Sequence, residues 1–377
     1  MSASVNLPDG RFELGGSGAE FADPRTTFKS RVGYAAAHVV ADPAAENVPG
    51  APPVIDWDAT LAARRHLWSY GFGVAEAMDT AQRGMGLNYP QARELIRRSA
   101  AEAEGPICAG VATDQLAPGP HPLGDIVAAY AEQLADVQEA GAKPVLMCSR
   151  NLAASASTAG DYLDVYGRLL AESGEPVILH WLGPAFDPAL EGYWGSANPA
   201  DTVVELIAAD PSKVDGIKLS LLDYDFEVAL RRRLPDGVRL YTGDDFNYPA
   251  LIKGDDEGYS DALLGIFAAI APPAAAALRA LDQGDLPAYD QIFEPTVTLA
   301  RHLFGRPTWF YKTGIVFLSW LAGRQEHFTM VAGAQSGRSP VHLAELLRLA
   351  DAAGLLPDAS LAAARARAFF TTAGVAQ

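Results

Sequence analysis

The chain has 377 residues, with 29 Lys or Arg against 46 Asp or Glu, a formal charge of −17 at pH 7. Hydrophobic residues at 49% and charged residues at 20% exclude a natively unfolded chain and supply a large core. The excess of acid excludes the clustered Lys and Arg that hold nucleic acid.

The first thirty residues are polar and glycine-rich and read as an arm. From about residue 30 to 270, short apolar runs alternate with amphipathic stretches. Strands are predicted at 32–40, 67–72, 106–112, 144–148, 176–181, 214–219, 238–241 and 258–262. Helices are predicted at 89–103, 122–140, 158–173, 199–209 and 223–233, where apolar positions recur every three or four residues. Asn88 with Pro90, Thr158, and Asn198 with Pro199 supply helix starts. Eight strands in strict alternation with helices predict a parallel sheet closed into a (β/α)8 TIM barrel. The first strand–helix unit, SRVGYAAAHVV, lacks the three glycines of a dinucleotide-binding turn. After residue 271 the strand signal stops. Helices are predicted at 274–304, 309–323, 339–353 and 358–372, broken by Pro287, Pro307 and Pro340. The expected organisation is an arm (1–30), a barrel (31–272) and a C-terminal helical extension packed on it (273–377).

The stretch 314–323 (GIVFLSWLAG) falls short of the roughly 18 apolar residues a membrane span needs. Cys108 and Cys148 are the only cysteines, and no signal-peptide pattern opens the sequence, so a cytoplasmic protein without disulfides is expected. The apolar run 309–323 is expected to bury either a subunit interface or a barrel flank.

Active sites of (β/α)8 barrels lie at the carboxyl ends of the strands. That rule selects Asp114, Ser149, Arg150, Asn151, His180, Trp181, Lys218, Ser220, Asp244 and Asp245. Lys218 stands out because the chain has only six lysines and this one lies inside an apolar strand, VDGIKLSLLD. Burial disfavours the ammonium, and a neutral amine attacks carbonyls to form Schiff bases. From spacing alone, an ion pair with Asp215 or Asp245 is the more frequent explanation of such a lysine. His180 suits proton transfer near neutral pH, and equally suits a core histidine bonded to a backbone carbonyl. Trp181 is more often packing than substrate stacking, and Asp244–Asp245 more often a cap than a ligand pair. No HExxH, Cys/His cluster or His-x-His pair suggests a metal. Cys108 and Cys148 read as inert, and Ser149 lacks a nucleophile elbow.

In order along the chain, VILHWLGP (177–184), GIKLS (216–220), LYTGDDF (240–246) and GYSDALLG (258–265) resemble the dihydrodipicolinate synthase and N-acetylneuraminate lyase group of class I aldolases. The segment YGFGVAEAMDT (70–80) and the tail GRSPVHLAELLRLADAAGLL (337–356) are similar to its second-strand and closing patterns. The resemblance spans about residues 30–356 with degenerate motifs, as in a divergent branch. It implies that Lys218 is the Schiff-base lysine and that His180 replaces the strand-five tyrosine that relays protons. It gives Glu76 and Asp244–Asp245 architectural roles. The hydroxyl pair that holds a keto-acid carboxylate falls at Gly73–Val74, the tyrosine pair after strand four at Arg150–Asn151, and the arginine after strand five has no match in 185–195. Arg150 offers a different anion anchor. Gly73, Val74, Arg150, Asn151, Trp181 and Asp244 are the expected substrate-binding set, and Lys218 is the only amine expected at the mouth.

The resemblance therefore implies an aldolase-type lyase, or related dehydratase, forming a Schiff base with a small keto acid or sugar-derived ketone. No metal or organic cofactor is implied, and a homodimer or homotetramer is. Two alternatives remain open: a lapsed barrel that binds a metabolite, and a divalent-metal aldolase using Asp244, Asp245, Glu76 and His180.

Overall fold

The computed structural model describes residues 3–15, 21 and 27–377. A short hairpin of β1 (Ser4–Leu7) and β2 (Gly10–Glu13) opens the chain. The eight strands that follow are β3 (Gly33–Ala36), β4 (Gly73–Glu76), β5 (Ile107–Val111), β6 (Lys143–Leu146), β7 (Val177–Leu182), β8 (Val214–Ser220), β9 (Arg239–Thr242) and β10 (Asp261–Leu264). They pair in parallel, in chain order, and β10 closes on β3. Between and around them lie α1 (Trp57–Ser69), α2 (Tyr89–Ala101), α3 (Leu123–Glu139), α4 (Arg150–Ser155), α5 (Ala159–Glu172), α6 (Pro199–Ala209), α7 (Tyr224–Arg231) and α8 (Tyr248–Lys253). The (β/α)8 barrel read from alternation is therefore the fold, and C-terminal helices follow it: α9 (Phe267–Asp282), α10 (Leu286–Leu303), α11 (Tyr311–Leu321), α12 (Pro340–Ala352) and α13 (Ala359–Thr372).

The barrel interior is small. Tyr34, Ala36, Ala75, Cys108, Val145, Ile178, Tyr241 and Leu263 pack as one buried cluster, separate from the larger core between strands and helices. Inward-facing residues of seven of the eight strands supply it, and β8 directs Lys218 inward instead, as the alternation of a closed parallel sheet allows. The floor is held by charge: Asp215 accepts from Lys143 Nζ at 2.7 Å and from the Tyr241 hydroxyl at 2.6 Å.

Three expectations are corrected. The predicted strand 67–72 is the end of α1 and the turn beyond it. Thr60, Leu61, Arg64, Leu67 and Trp68 recur every three or four residues and face the core from a helix capped by Asp56. Gly71, at φ 88°, turns the chain into β4 at Gly73. The predicted helix 274–304 is α9 and α10, parted at Gly284 (φ 76°), with Pro287 in the first turn of α10 instead of breaking it. That places the expected barrel boundary, residue 272, inside α9. The predicted arm contains the β1–β2 hairpin, which buries Val5 and Leu7 and bonds the C-terminal segment through Asn6 Nδ2 to the Ala376 carbonyl at 2.9 Å. Residues 16–20 and 22–26 of that arm lie outside the described residues.

Candidate active site

Lys218 projects from β8 into the barrel. It stands in register between His180 of β7 and Tyr241 of β9, whose neighbours Ile178 and Tyr241 line the interior. The space for its side chain exists because residue 243 is glycine. A Cβ there would lie 2.9 Å from Lys218 Cε, 2.2 Å from Ser220 Oγ and 2.9 Å from the Leu219 carbonyl. Lys218 is 5% exposed, and none of the ion pairs among the described residues includes it. The Asp215 that sequence offered as its partner is taken by Lys143. Burial lowers the Lys218 pKa, against the opposing charges of Asp79 and Asp245.

His180 is 1% exposed, with Nε2 3.2 Å from Ser220 Oγ and Nδ1 without a hydrogen-bond partner among the described residues. Burial, and then the charge of Lys218, drives its pKa well below the ordinary histidine value. The imidazole is thus neutral at physiological pH, with one nitrogen free. Asp245, whose Oδ1 accepts from the Ile266 amide at 2.9 Å, is pushed well above the ordinary carboxylate range by burial, although Lys218 pulls the other way.

A cavity of about 540 Å³ opens over the carboxyl ends of β4 to β7 and is closed on one side by α11. Ala112 and Met147 lie on it, and the β6–β7 register carries Met147 beside His180. Lys218 and His180 themselves are not among its lining residues; they sit beside it, deeper in the barrel. Two ion pairs stiffen the wall. Arg83 bonds Asp114 through two nitrogens at 2.6 and 3.1 Å, and Arg150 Nε bonds Asp187 at 2.5 Å. A second amine, Lys312 of α11, lines the cavity, so Lys218 is not the only one at this end of the barrel.

Of the expected substrate-binding set, Arg150 and Asn151 lie on the cavity. Asn151 is committed to its own loop, donating to the carbonyls of Ala117 and Gly119 at 2.9 Å each. Gly73 and Val74 are buried at the start of β4, away from the mouth, and a Cβ on Gly73 would meet the Tyr34 ring at 2.5 Å. Gly73 and Val74 open β4, which ends at Glu76, and the loop beyond it brings Asp79 to the mouth. Trp181 faces outward, packing edge-on against Trp194 and Phe226. Asp244 turns into its own loop and accepts from the amides of Phe246 and Asn247 at 2.8 and 3.0 Å. Glu76 is fully buried on the outer face of β4, paired with Arg64 at 2.7 Å and accepting from Ser99 at 2.6 Å. Glu76, Asp244, Asp245 and His180 therefore do not converge, and no cluster of three or more potential metal ligands occurs among the described residues.

Sequence reasoning missed Asp79 and Lys312. Lys312 carried a legible signal, since it lies in an apolar run as Lys218 does. Most of that run is α11, which is buried within the chain against α9, α10, α12 and α13, with only Trp320 of the helix less than fully covered.

The fold is a (β/α)8 barrel similar to those of solved dihydrodipicolinate synthases. The dihydrodipicolinate synthase of Aquifex aeolicus superposes with a TM-score of 0.66 at 14% identity, covering 86% of this chain and 99% of that one. The Thermotoga maritima enzyme gives 0.65 at 15%, covering 87% and 100%. A prophage protein of the dihydrodipicolinic acid synthase family from E. coli K12, solved in complex with pyruvate, gives 0.64 at 17%, covering 86% and 99%. At such identities the likeness is one of fold, and it fits a divergent branch. No curated protein matches by sequence. The chain belongs to the family described as protein of unknown function (DUF993), which matches residues 11–375.

Proposed function

We propose that this protein is an aldolase-type lyase, or a related dehydratase, that forms a Schiff base between Lys218 and a small keto acid or sugar-derived ketone. The observation that carries this reading is the buried Lys218 amine, in no ion pair among the described residues and opposite a neutral His180. The neutral amine adds to the carbonyl carbon, and the oxygen takes a proton to give a carbinolamine. Loss of water leaves a protonated imine. The bond between the α and β carbons then breaks: its electron pair forms the enamine double bond as the imine pair moves onto nitrogen, while the β-hydroxyl loses its proton and that fragment leaves as a carbonyl compound. Protonation of the enamine carbon and hydrolysis return the amine. His180 moves the protons, with Nδ1 free to accept one.

A metabolite-binding barrel without chemistry is the second reading, favoured by one observation: Lys218 and His180 do not line the open cavity. Borohydride reduction in the presence of pyruvate, other 2-keto acids and acetaldehyde, followed by peptide mapping, separates the two. An adduct on Lys218 supports the lyase. Absence of any adduct supports the binding protein, and an adduct on Lys312 alone removes Lys218 from the reaction.

A further inference from the structure

Lys312 has no place in the chemistry just described. It is 2% exposed, it lines the cavity, and among the described residues its one hydrogen-bond partner is the thioether of Met85, with Nζ to Sδ 3.2 Å. A thioether is a weak acceptor, so this ammonium is poorly satisfied. The charged groups facing it come from three separate segments. Arg150 at the start of α4 and Asp187 after β7 are paired with each other. Asp79, after β4, accepts from the Tyr311 hydroxyl at 2.6 Å and makes no ion pair with Lys312 among the described residues. The third cation of the wall, Arg83, is matched by Asp114. Burial lowers the Lys312 pKa to about 8, which leaves it mostly protonated at neutral pH. Asp79 is the nearest opposing charge, but it is bonded to Tyr311 and not to Lys312. A buried ammonium that no carboxylate contacts directly is costly, and a protein that keeps one in a cavity wall gains when a ligand supplies a bonded anion.

We infer that Lys312 anchors an anionic group of the ligand, a carboxylate or a phosphate, that enters this cavity. The volume suits a metabolite larger than a three-carbon acid. Arg150, which sequence offered as the anchor, has its charge met by Asp187. This inference deepens the Schiff-base reading by giving its substrate an anionic end remote from the carbonyl, and the contact itself does not depend on imine formation.

Inorganic phosphate and succinate, neither of which forms an imine, are the probes, against chloride at equal ionic strength. Binding is read by thermal shift and by the Cε resonance of Lys312 in full-length protein carrying 13C-lysine, assigned by its loss in Lys312→Met. One or both probes are expected to raise the melting temperature and move the Lys312 titration upward. Lys312→Met removes the unpaired ammonium and is expected to fold, while weakening that binding roughly tenfold to a hundredfold, as for loss of a charge-assisted hydrogen bond. Lys312→Arg retains it in part. A response to phosphate alone or to succinate alone assigns the anion. No response to either, an unmoved Lys312 titration, or binding undiminished in Lys312→Met overturns the inference. Trapping with uncharged acetaldehyde on Lys218 in Lys312→Met tests the imine separately. If it fails while anion binding stands, the lyase reading falls and the anchor remains.

Discussion

His180 and Lys218 are directly opposed on neighbouring parallel strands, with both side chains in the barrel interior. Each lies in the low-dielectric surroundings of the other, so a proton on Lys218 discourages one on His180. The pair is built to carry one positive charge, not two, which suits an amine and a proton carrier.

Lys218→Ala removes the proposed nucleophile while strand β8 keeps its packing. Borohydride trapping at this position is expected to vanish, with the melting temperature unchanged or higher because a buried amine without an ion pair has been removed. Unfolding of this variant, seen by circular dichroism, would make Lys218 a structural residue and take away the central support of the lyase reading.

His180→Tyr is expected to retain imine trapping, with turnover reduced and the pH optimum moved upward. A phenol titrates near 10 against about 6.5 for imidazole, and burial raises a tyrosine further while it lowers a histidine. A pH–rate profile of the variant that overlays the wild-type profile would show that His180 does not carry the proton.

Gly243→Ala places a methyl group against Lys218 Cε and Ser220 Oγ, and also against the Leu219 carbonyl, which is backbone and yields little. A loss of about 1–3 kcal/mol in stability is expected, the usual cost of overpacking. Imine formation should fall by more than the folded fraction does. Denaturant titration together with trapping yield on the folded protein measures both; a full trapping yield would show that Lys218 is not held where the structure has it.

Glu227, on α7, is buried and accepts from Ser260 Oγ at 2.8 Å and Thr242 Oγ1 at 3.1 Å, and burial raises its pKa to about 8. Between the ordinary carboxylate value and about 8, the folded protein holds a proton that the unfolded chain has released. Stability from this group is therefore complete below the ordinary value and declines as pH rises through about 8. Glu227→Gln is expected to flatten this decline and to stabilise the protein at pH 8 by a few kcal/mol, in order of magnitude. Melting temperatures across that pH range check it, and parallel curves for the two proteins would contradict it.

The barrel was legible in the sequence because alternation of apolar runs with amphipathic helices is a local pattern, and eight such units leave few other ways to bury both faces of a parallel sheet. Lys218 was legible for a similar reason: a charge inside an apolar strand violates the local pattern, and the neighbouring residues match a known strand-six motif. The second strand was misread because 67–72 holds Leu67, Trp68 and Phe72 in a short run that periodicity cannot assign to helix or strand. Packing of α1 settled it, and with it the strand became Gly73–Glu76, so that Asp79 in the following loop, not Gly73–Val74, reaches the mouth. Only tertiary structure brought Lys312 within 3.2 Å of Met85, a partner 227 residues earlier, and set both on the cavity. Periodicity reports which face of an element is buried; what that face meets is decided by how α11 packs among α9, α10, α12 and α13, through contacts that sequence spacing does not encode.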